Sequence, residues 1–302
     1  MKEVHVKYLN ANDQDMSWGL VITTAGYQDI PPHSDYPSTN HPMRYGFSAK
    51  KGRVLNEYQL VYITRGGGKF TSTSQKPVEI NKGDMFLLFP GEWHNYKPDW
   101  ETGWHESWIG FIGKDIDDKV ANGFFSKNRP VFHIGVLNDV FGLYQQAVRC
   151  AVSQESGYQQ VLSGIANLLM GYAYSKNRES SFRDKKEADM VNQAKVLMQQ
   201  VFETDITGDQ IARRLGVSYS KFRRTFRDYT GFAPNQYVIE IRIAKAKELL
   251  TNTSMSCQQI GFAVGFETPS YFHVAFKKKT GMSPASYREF TQGKSISAAK
   301  DL

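Results

Sequence analysis

Hydrophobic positions change their rhythm twice along this chain. Up to about residue 135, short apolar runs alternate with turn signals: Trp18–Thr23, Tyr58–Thr64, Gly68–Ser72, Asp84–Phe89 and Glu106–Ile112. Many short strands at regular spacing predict a small β-barrel or sandwich. Arg65-Gly-Gly-Gly-Lys69 separates two of these runs and reads as a hairpin turn. It is unsuited to cradling phosphate, because a strand and not a helix follows it and the lysine spacing is wrong.

From 137 to 176 the period becomes helical. Val140, Leu143, Tyr144, Ala147 and Ala151 share one face, and Val161, Leu162, Ile165, Leu168, Leu169 and Tyr172 share another. Gln154–Gly157 separates them. An antiparallel helix pair on the barrel is expected, and it is the expected dimer surface. The polar, aperiodic stretch 175–186 reads as a linker. Beyond Glu187 the pattern is helical throughout, with Val191, Ala194, Leu197, Met198 and Val201 forming a buried stripe. The predicted organisation is 1–176 for sensing and dimerisation, 177–186 as linker, 187–290 as an all-helical domain, and 291–302 as a frayed tail.

The helical domain contains a repeat. Ile211–Val217 is echoed by Ile260–Phe266, and Phe222, Phe226, Thr230-Gly231, Pro234 and Tyr237 are echoed by Phe272, Phe276, Thr280-Gly281, Pro284 and Tyr287. Each copy reads as a short helix, a glycine turn and a second, basic helix, which is the helix-turn-helix pattern. In the first copy Thr207 or Gly208 starts the helix, Ile211, Ala212 and Leu215 are buried, Gly216 turns and Ser218 caps. Ser218, Ser220, Lys221, Arg223, Arg224 and Arg227 are then left to face DNA. In the second copy Ser256 starts the helix, Ile260, Ala263 and Val264 are buried, Gly265 turns and Thr268 caps. Tyr271, Phe272 and Phe276 supply its apolar side. Ser270, His273 and Val274 take reading positions, and Lys277, Lys278 and Lys279 extend toward phosphate. Val274 suits a thymine methyl better than a base hydrogen bond. A helix over Pro234–Leu250 joins the copies at a length suited to successive major grooves.

Charge sharpens this picture. Residues 185–302 hold 18 Lys+Arg against 11 Asp+Glu, a net of +7, which equals the net charge of the whole chain. The first 184 residues are therefore neutral. A basic domain joined to a neutral one suits a reader of double-stranded DNA joined to a sensor. With 40% hydrophobic and 22% charged residues the composition is that of a globular protein. Two cysteines, Cys150 and Cys257, imply no disulfide framework. Met1–Lys7 has no apolar core, so no signal peptide is expected. No apolar run approaches the roughly 20 residues of a membrane span, and the expected compartment is the cytoplasm, at the nucleoid.

Gly265-Phe266-Glu-Thr-Pro-Ser-Tyr-Phe272, followed by Phe276-Lys-Lys-Lys-Thr-Gly281-Met-Ser-Pro284-Ala-Ser-Tyr-Arg288, resembles the signature of the AraC/XylS family of bacterial transcription regulators. The resemblance spans about 187–290. Val274 departs from it, since many members carry arginine there. The N-terminal half is similar to the cupin-like sensor of the sugar-responsive branch, through Gly52-Arg53, Gly83-Asp84, Phe89–Tyr96 and Gly103–Trp108. The implied fold is a multidomain chain of α and β structure: a cupin-like β-barrel with a helix pair, then an all-α domain with two helix-turn-helix units.

Matched to the arabinose-sensing member, Arg53, Tyr96 and Trp104 fall at ligand-contacting positions. His94 and Glu106 are further candidate hydrogen-bonding partners. The residue types fit a sugar, whose hydroxyls suit charged groups and whose flat face suits an aromatic ring. Trp93, Trp104 and Trp108 are also readable as barrel core. The Pro-rich segment 33–45 is either a lid or a surface loop.

Cupin barrels also house metal enzymes, but no His-x-His pair occurs in the first 110 residues. One ligand, His94, does not hold a catalytic metal. No cofactor and no enzymatic activity are expected. The resemblance implies a homodimer that activates transcription with RNA polymerase as a partner; the competing reading is a constitutive regulator whose barrel only dimerises.

Overall fold

The computed structural model describes residues 4–37, 51–181, 185–204 and 206–293. The chain divides into two units, 1–181 and 182–302. The first holds β1 (Val4–Tyr8), a short helix α1 (Asp13–Ser17), β2 (Val21–Ile30), β3 (Arg53–Val54), β4 (Tyr58–Ser72), β5 (Val78–Asn81), β6 (Asp84–Leu88), β7 (Trp93–Pro98) and β8 (Trp104–Ile112). Helix α2 (Lys114–Ala121), β9 (Val131–His133), α3 (Asn138–Ser153) and α4 (Tyr158–Ser181) complete it. The described strands pair antiparallel, with the main path β1-β2-β8-β4-β6-β9.

Strand β4 folds the sheet over on itself. Its first half pairs with β8 and β6, and its second half pairs with β5 and β7. The Arg65–Lys69 stretch expected as a hairpin turn therefore lies inside one continuous strand, just past a register shift between Ile63 and Arg65. Its glycines answer a tertiary demand. A Cβ on Gly66 would lie 2.0 Å from the Gly103 carbonyl oxygen, and one on Gly68 would lie 2.2 Å from that of Lys97. Glycine serves close backbone approach as well as turns, so local pattern alone favours the wrong reading here.

The period-2 alternation of β8 sets what lies on each side. Trp104 and Trp108 join an inner cluster with Val61, Ile63, Phe70, Phe86 and Tyr96. Ile109 and Phe111 join a second cluster with Leu60, Tyr62, Tyr144, Leu162 and Leu169, which α3 and α4 supply from outside. Burial on both faces explains why β6 is apolar from Met85 to Leu88. A buried amide fastens the two layers. Gln159 of α4 accepts from the Ile22 N–H and donates to the Ile22 carbonyl, both at 3.0 Å, at an irregular point in β2.

Three expectations shift in this unit. Trp18 is exposed, and the strand begins at Val21. Helix α4 continues through 177–181, where a linker was expected. Val161 and Leu168 face outward, while Leu162, Ile165 and Leu169 are buried. Of the segment 33–45, residues 38–45 lie outside the described residues.

The second unit is helical: α5 (Lys185–Val201), α6 (Gly208–Arg214), α7 (Tyr219–Thr230), α8 (Pro234–Asn252), α9 (Cys257–Ala263), α10 (Pro269–Thr280) and α11 (Pro284–Thr291). It has one core per repeat. Val191, Met198, Ile211, Phe222, Phe226 and Val238 form the first; Ile243, Leu250, Ile260, Phe266, Phe272 and Phe276 form the second. Helix α8 contributes to both, so it is the shared wall. Each repeat also commits one arginine to backbone carbonyls in the last turn of a helix or just after it. Arg242 donates to Phe202 O at 2.8 Å and to Thr204 O at 2.9 Å, and Arg288 donates to Leu250 O at 3.2 Å. Ala263 and Tyr271, expected inside, are exposed. Each falls one step off the 3.6-residue face that its helix buries.

Candidate functional site

The barrel interior gathers residues that are far apart in the chain. The register of β3 against β7 sets Arg53 opposite His94. From there Arg53 donates through Nη2 to the Tyr96 hydroxyl at 2.8 Å and to Gln59 Oε1 at 3.4 Å, and through Nε to His94 Nε2 at 3.3 Å. His94 Nδ1 lies 3.0 Å from the Glu92 carbonyl oxygen. That contact needs Nδ1–H, which leaves Nε2 as the acceptor for Arg53, so the neutral imidazole is the form that fits. Burial, helped by the Arg53 charge, pushes the His94 pKa down to about 4.

Glu106 projects inward from β8 and is 4% exposed. Burial pushes its pKa up to about 8, against the pull of Arg53 and of a hydrogen bond from Tyr36. At neutral pH it is largely protonated and can itself donate a hydrogen bond. Trp104 is fully buried, and its indole Nε1 has no acceptor among the described residues. An orphaned buried donor costs about 1–3 kcal/mol, which makes this position notable. The glycines of β4 create the space for it, since a Cβ on Gly68 would lie 2.8 Å from the Trp104 ring.

Tyr36 is the site residue that pattern reasoning missed. Its hydroxyl lies 3.3 Å from both Glu106 carboxyl oxygens, and its ring meets Trp104 edge-on at 5.9 Å. It sits in an irregular segment with no periodicity, so no local signal marks it. With Tyr36 in place, the cavity bounded by Arg53, Gln59, Tyr96, Glu106 and Trp108 measures about 20 Å³. That holds about one water molecule.

The structure thus brings Arg53, His94, Tyr96, Trp104 and Glu106 into one cluster. Trp108 is buried beside them, whereas Trp93 is 38% exposed and stands outside. Among the described residues no group of three His, Cys, Asp or Glu side chains is placed to hold a metal. No described helix is long and apolar enough to cross a membrane.

The second unit presents two basic helices. Gly216 takes φ +68° at the first turn, and the Ser218 oxygen accepts the Lys221 N–H to start α7. Phe222 and Phe226 face the core, leaving Ser220, Lys221, Arg223, Arg224 and Arg227 exposed. Ser220 and the three arginines line one shallow concavity. Lys221 is drawn aside, with its Nζ 3.3 Å from Glu187 of α5.

Helix α10 starts on Thr268, whose hydroxyl accepts the Tyr271 N–H at 3.2 Å. It exposes Ser270, Tyr271, His273, Val274, Lys277 and Lys278, and Val274 is 66% exposed. Lys279 is paired with Glu240 and so differs from its two neighbours. Arginine forks suit guanine edges, whereas Val274 and Tyr271 suit the thymine methyl.

Comparison with known proteins bears on both units. The helix-turn-helix domain family matches residues 211–289, and the AraC-like ligand binding domain family matches residues 36–185. The chain is 26% identical to the Msm operon regulatory protein of Streptococcus mutans, over 79% of this chain and 86% of that protein. It is 25% identical to the raffinose operon transcriptional regulatory protein of Pediococcus pentosaceus, over 80% and 88% respectively. It is also 25% identical to the lactose operon transcription activator of Staphylococcus xylosus, over 78% and 85%.

Proposed function

The chain belongs to the AraC/XylS family of transcription regulators, and from that premise we propose that it activates carbohydrate-utilisation genes when a mono- or oligosaccharide enters the barrel. The observation that carries this reading is the buried polar cluster of Arg53, Tyr96 and Glu106 beside Trp104, whose indole N–H is unpaired. Such a set offers hydrogen bonds to hydroxyls and an aromatic wall to a pyranose face. Relatives named for raffinose and lactose operons support the same ligand class.

A sugar is too large for about 20 Å³, so Tyr36 must leave for it to enter. The ligand hydroxyls then replace the Tyr36 hydroxyl at Glu106. Ligand binding shifts the balance between two arrangements of the sensor, and DNA must alter ligand affinity reciprocally. α7 supplies base reading through Arg223, Arg224 and Arg227, and α10 adds phosphate contacts through Lys277 and Lys278. The dimer face we assign is the exposed stripe of α4, where Val161 and Leu168 alternate with Gly164 and Gly171 at heptad-like spacing. RNA polymerase is the partner that activation requires. No enzymatic step is assigned.

The small cavity favours one competing reading, a barrel that only dimerises. Calorimetric titration of mono- and oligosaccharides, with and without operator DNA, separates the two. Under our reading a sugar binds wild type, DNA changes its affinity, and Arg53→Ala abolishes binding while leaving DNA binding intact. Equal affinity with and without DNA sinks the coupling, and absence of any saccharide binding sinks the sensor.

A further inference from the structure

A cavity of the first unit lies outside the barrel. Because Trp104, Glu106 and Trp108 of β8 point inward, His105 and Ser107 point to the opposite face. Strand pairing places Tyr27 opposite Ser107, and His5 opposite Tyr27. The rings form a rail across three strands: His5 stacks on Tyr27 at 4.8 Å, and Tyr27 stacks on His105 at 6.1 Å. Helix α3 crosses above it. Phe141 meets His105 edge-on at 6.0 Å, and Tyr144 and Val148 line the same side.

Further along the sheet, Tyr144 of α3 reaches β4, donating to the Leu60 carbonyl at 3.1 Å and stacking on Tyr62 at 5.8 Å. Over the ring rail the layers part, leaving a cavity of about 390 Å³. Binding pockets for small molecules begin at roughly 300 Å³, so this space has the size that the barrel lacks. Its floor carries the hydroxyl of Ser107, a residue only 2% exposed. The His105 ring uses Nδ1 at 2.8 Å to the Thr64 hydroxyl, which leaves Nε2 for another contact.

The mouth carries Gln145 and Arg149, one and two helical turns beyond Phe141. Arg149 makes no ion pair among the described residues, and no carboxylate lines the cavity. Asp29, across the strand pair from His105, is held by Arg65. The cavity therefore joins aromatic walls to an unopposed guanidinium.

We propose that this cleft between the outer sheet face and α3 is a second small-molecule site, and that its ligand is a small ring compound bearing one carboxylate or phosphate. The ring lies against Tyr27, His105 and Phe141. The anion meets Arg149 in a charge-assisted hydrogen bond, and a ring substituent reaches Ser107. This site is separate from the barrel, because β8 lies between the two cavities.

The test is calorimetric titration of the full chain with a hexose 6-phosphate, a hexuronic acid and 4-hydroxybenzoate, with uncharged hexose and inorganic phosphate as controls. At least one ring anion binds, and the carboxylate and phosphate probes tell which anion the site takes. Arg149→Gln weakens binding about tenfold or more, Phe141→Ala weakens it as well, and Arg53→Ala leaves it unchanged. Arg149 is exposed, so an unaltered melting curve certifies the fold of that variant. The proposal fails if no ring anion binds. It fails equally if inorganic phosphate binds as tightly as the ring anions, or if Arg53→Ala removes binding while Arg149→Gln does not.

Discussion

The Tyr36 hydroxyl lies 3.3 Å from each carboxyl oxygen of Glu106, which also lines a cavity that holds about one water. A carboxyl that burial holds at a pKa of about 8 favours its protonated form when folded, whereas unfolded chain releases the proton near 4.5. Folded protein binds the extra proton between those values, so stability falls as pH rises from about 4.5 through 8. Thermal melts from pH 6 to 9 should show this decline. Glu106→Gln should flatten it, and an unchanged slope would remove Glu106 as its cause.

His94 acts on the other side of neutrality. Its pKa is lowered from 6.5 to about 4, so the folded state resists protonation. Its contribution is complete above 6.5 and is lost as pH falls through about 4. His94→Asn should make melting less sensitive to acid between those values, read by circular dichroism.

Gly68→Ala puts a methyl against both the Lys97 carbonyl and the Trp104 ring. Overpacking of this kind costs roughly 1–3 kcal/mol or more, and it should weaken any barrel ligand as well. Gly142→Ala in α3 meets nothing within 4 Å and is the matched control. It should be neutral or stabilising by up to about 1 kcal/mol. Chemical denaturation of both variants decides the matter.

Gln159→Leu leaves the Ile22 N–H and carbonyl buried without partners. Each orphaned group costs about 1–3 kcal/mol, so the sensor should lose several degrees or more of melting temperature. If the melting temperature is unchanged, the amide does not hold the helix pair to the sheet.

The three lysines of α10 should separate by partner. Lys278→Ala should weaken binding on all sequences and reduce the salt slope by about one. Lys279→Ala should change it little, because Glu240 already holds that charge. Arg224→Ala should relax sequence preference, by roughly 1–3 kcal/mol at one base pair. Anisotropy titrations on specific and scrambled duplexes, across salt, read all three.

Much of the second unit was legible because its determinants are local. Gly216, Ser218, Ser256 and Thr268 occupy the turns and caps that their side chains predict, and Phe222, Phe226, Phe272 and Phe276 face the cores. Helical spacing and capping act within four residues, so the chain alone carries them. The barrel class was also readable, and the resemblance singled out Arg53, Tyr96 and Trp104, which the structure places close together. Tertiary structure alone decided the rest. The Gly66–Gly68 run is the inside of a strand because distant carbonyls press on it, and Tyr36 enters the pocket because Glu106 and Trp104 receive it. Lys221 and Lys279 are diverted by carboxylates 34 and 39 residues away in the chain. Alternation and helical period determine which face a residue takes; which neighbour it meets there depends on contacts that no window of sequence contains.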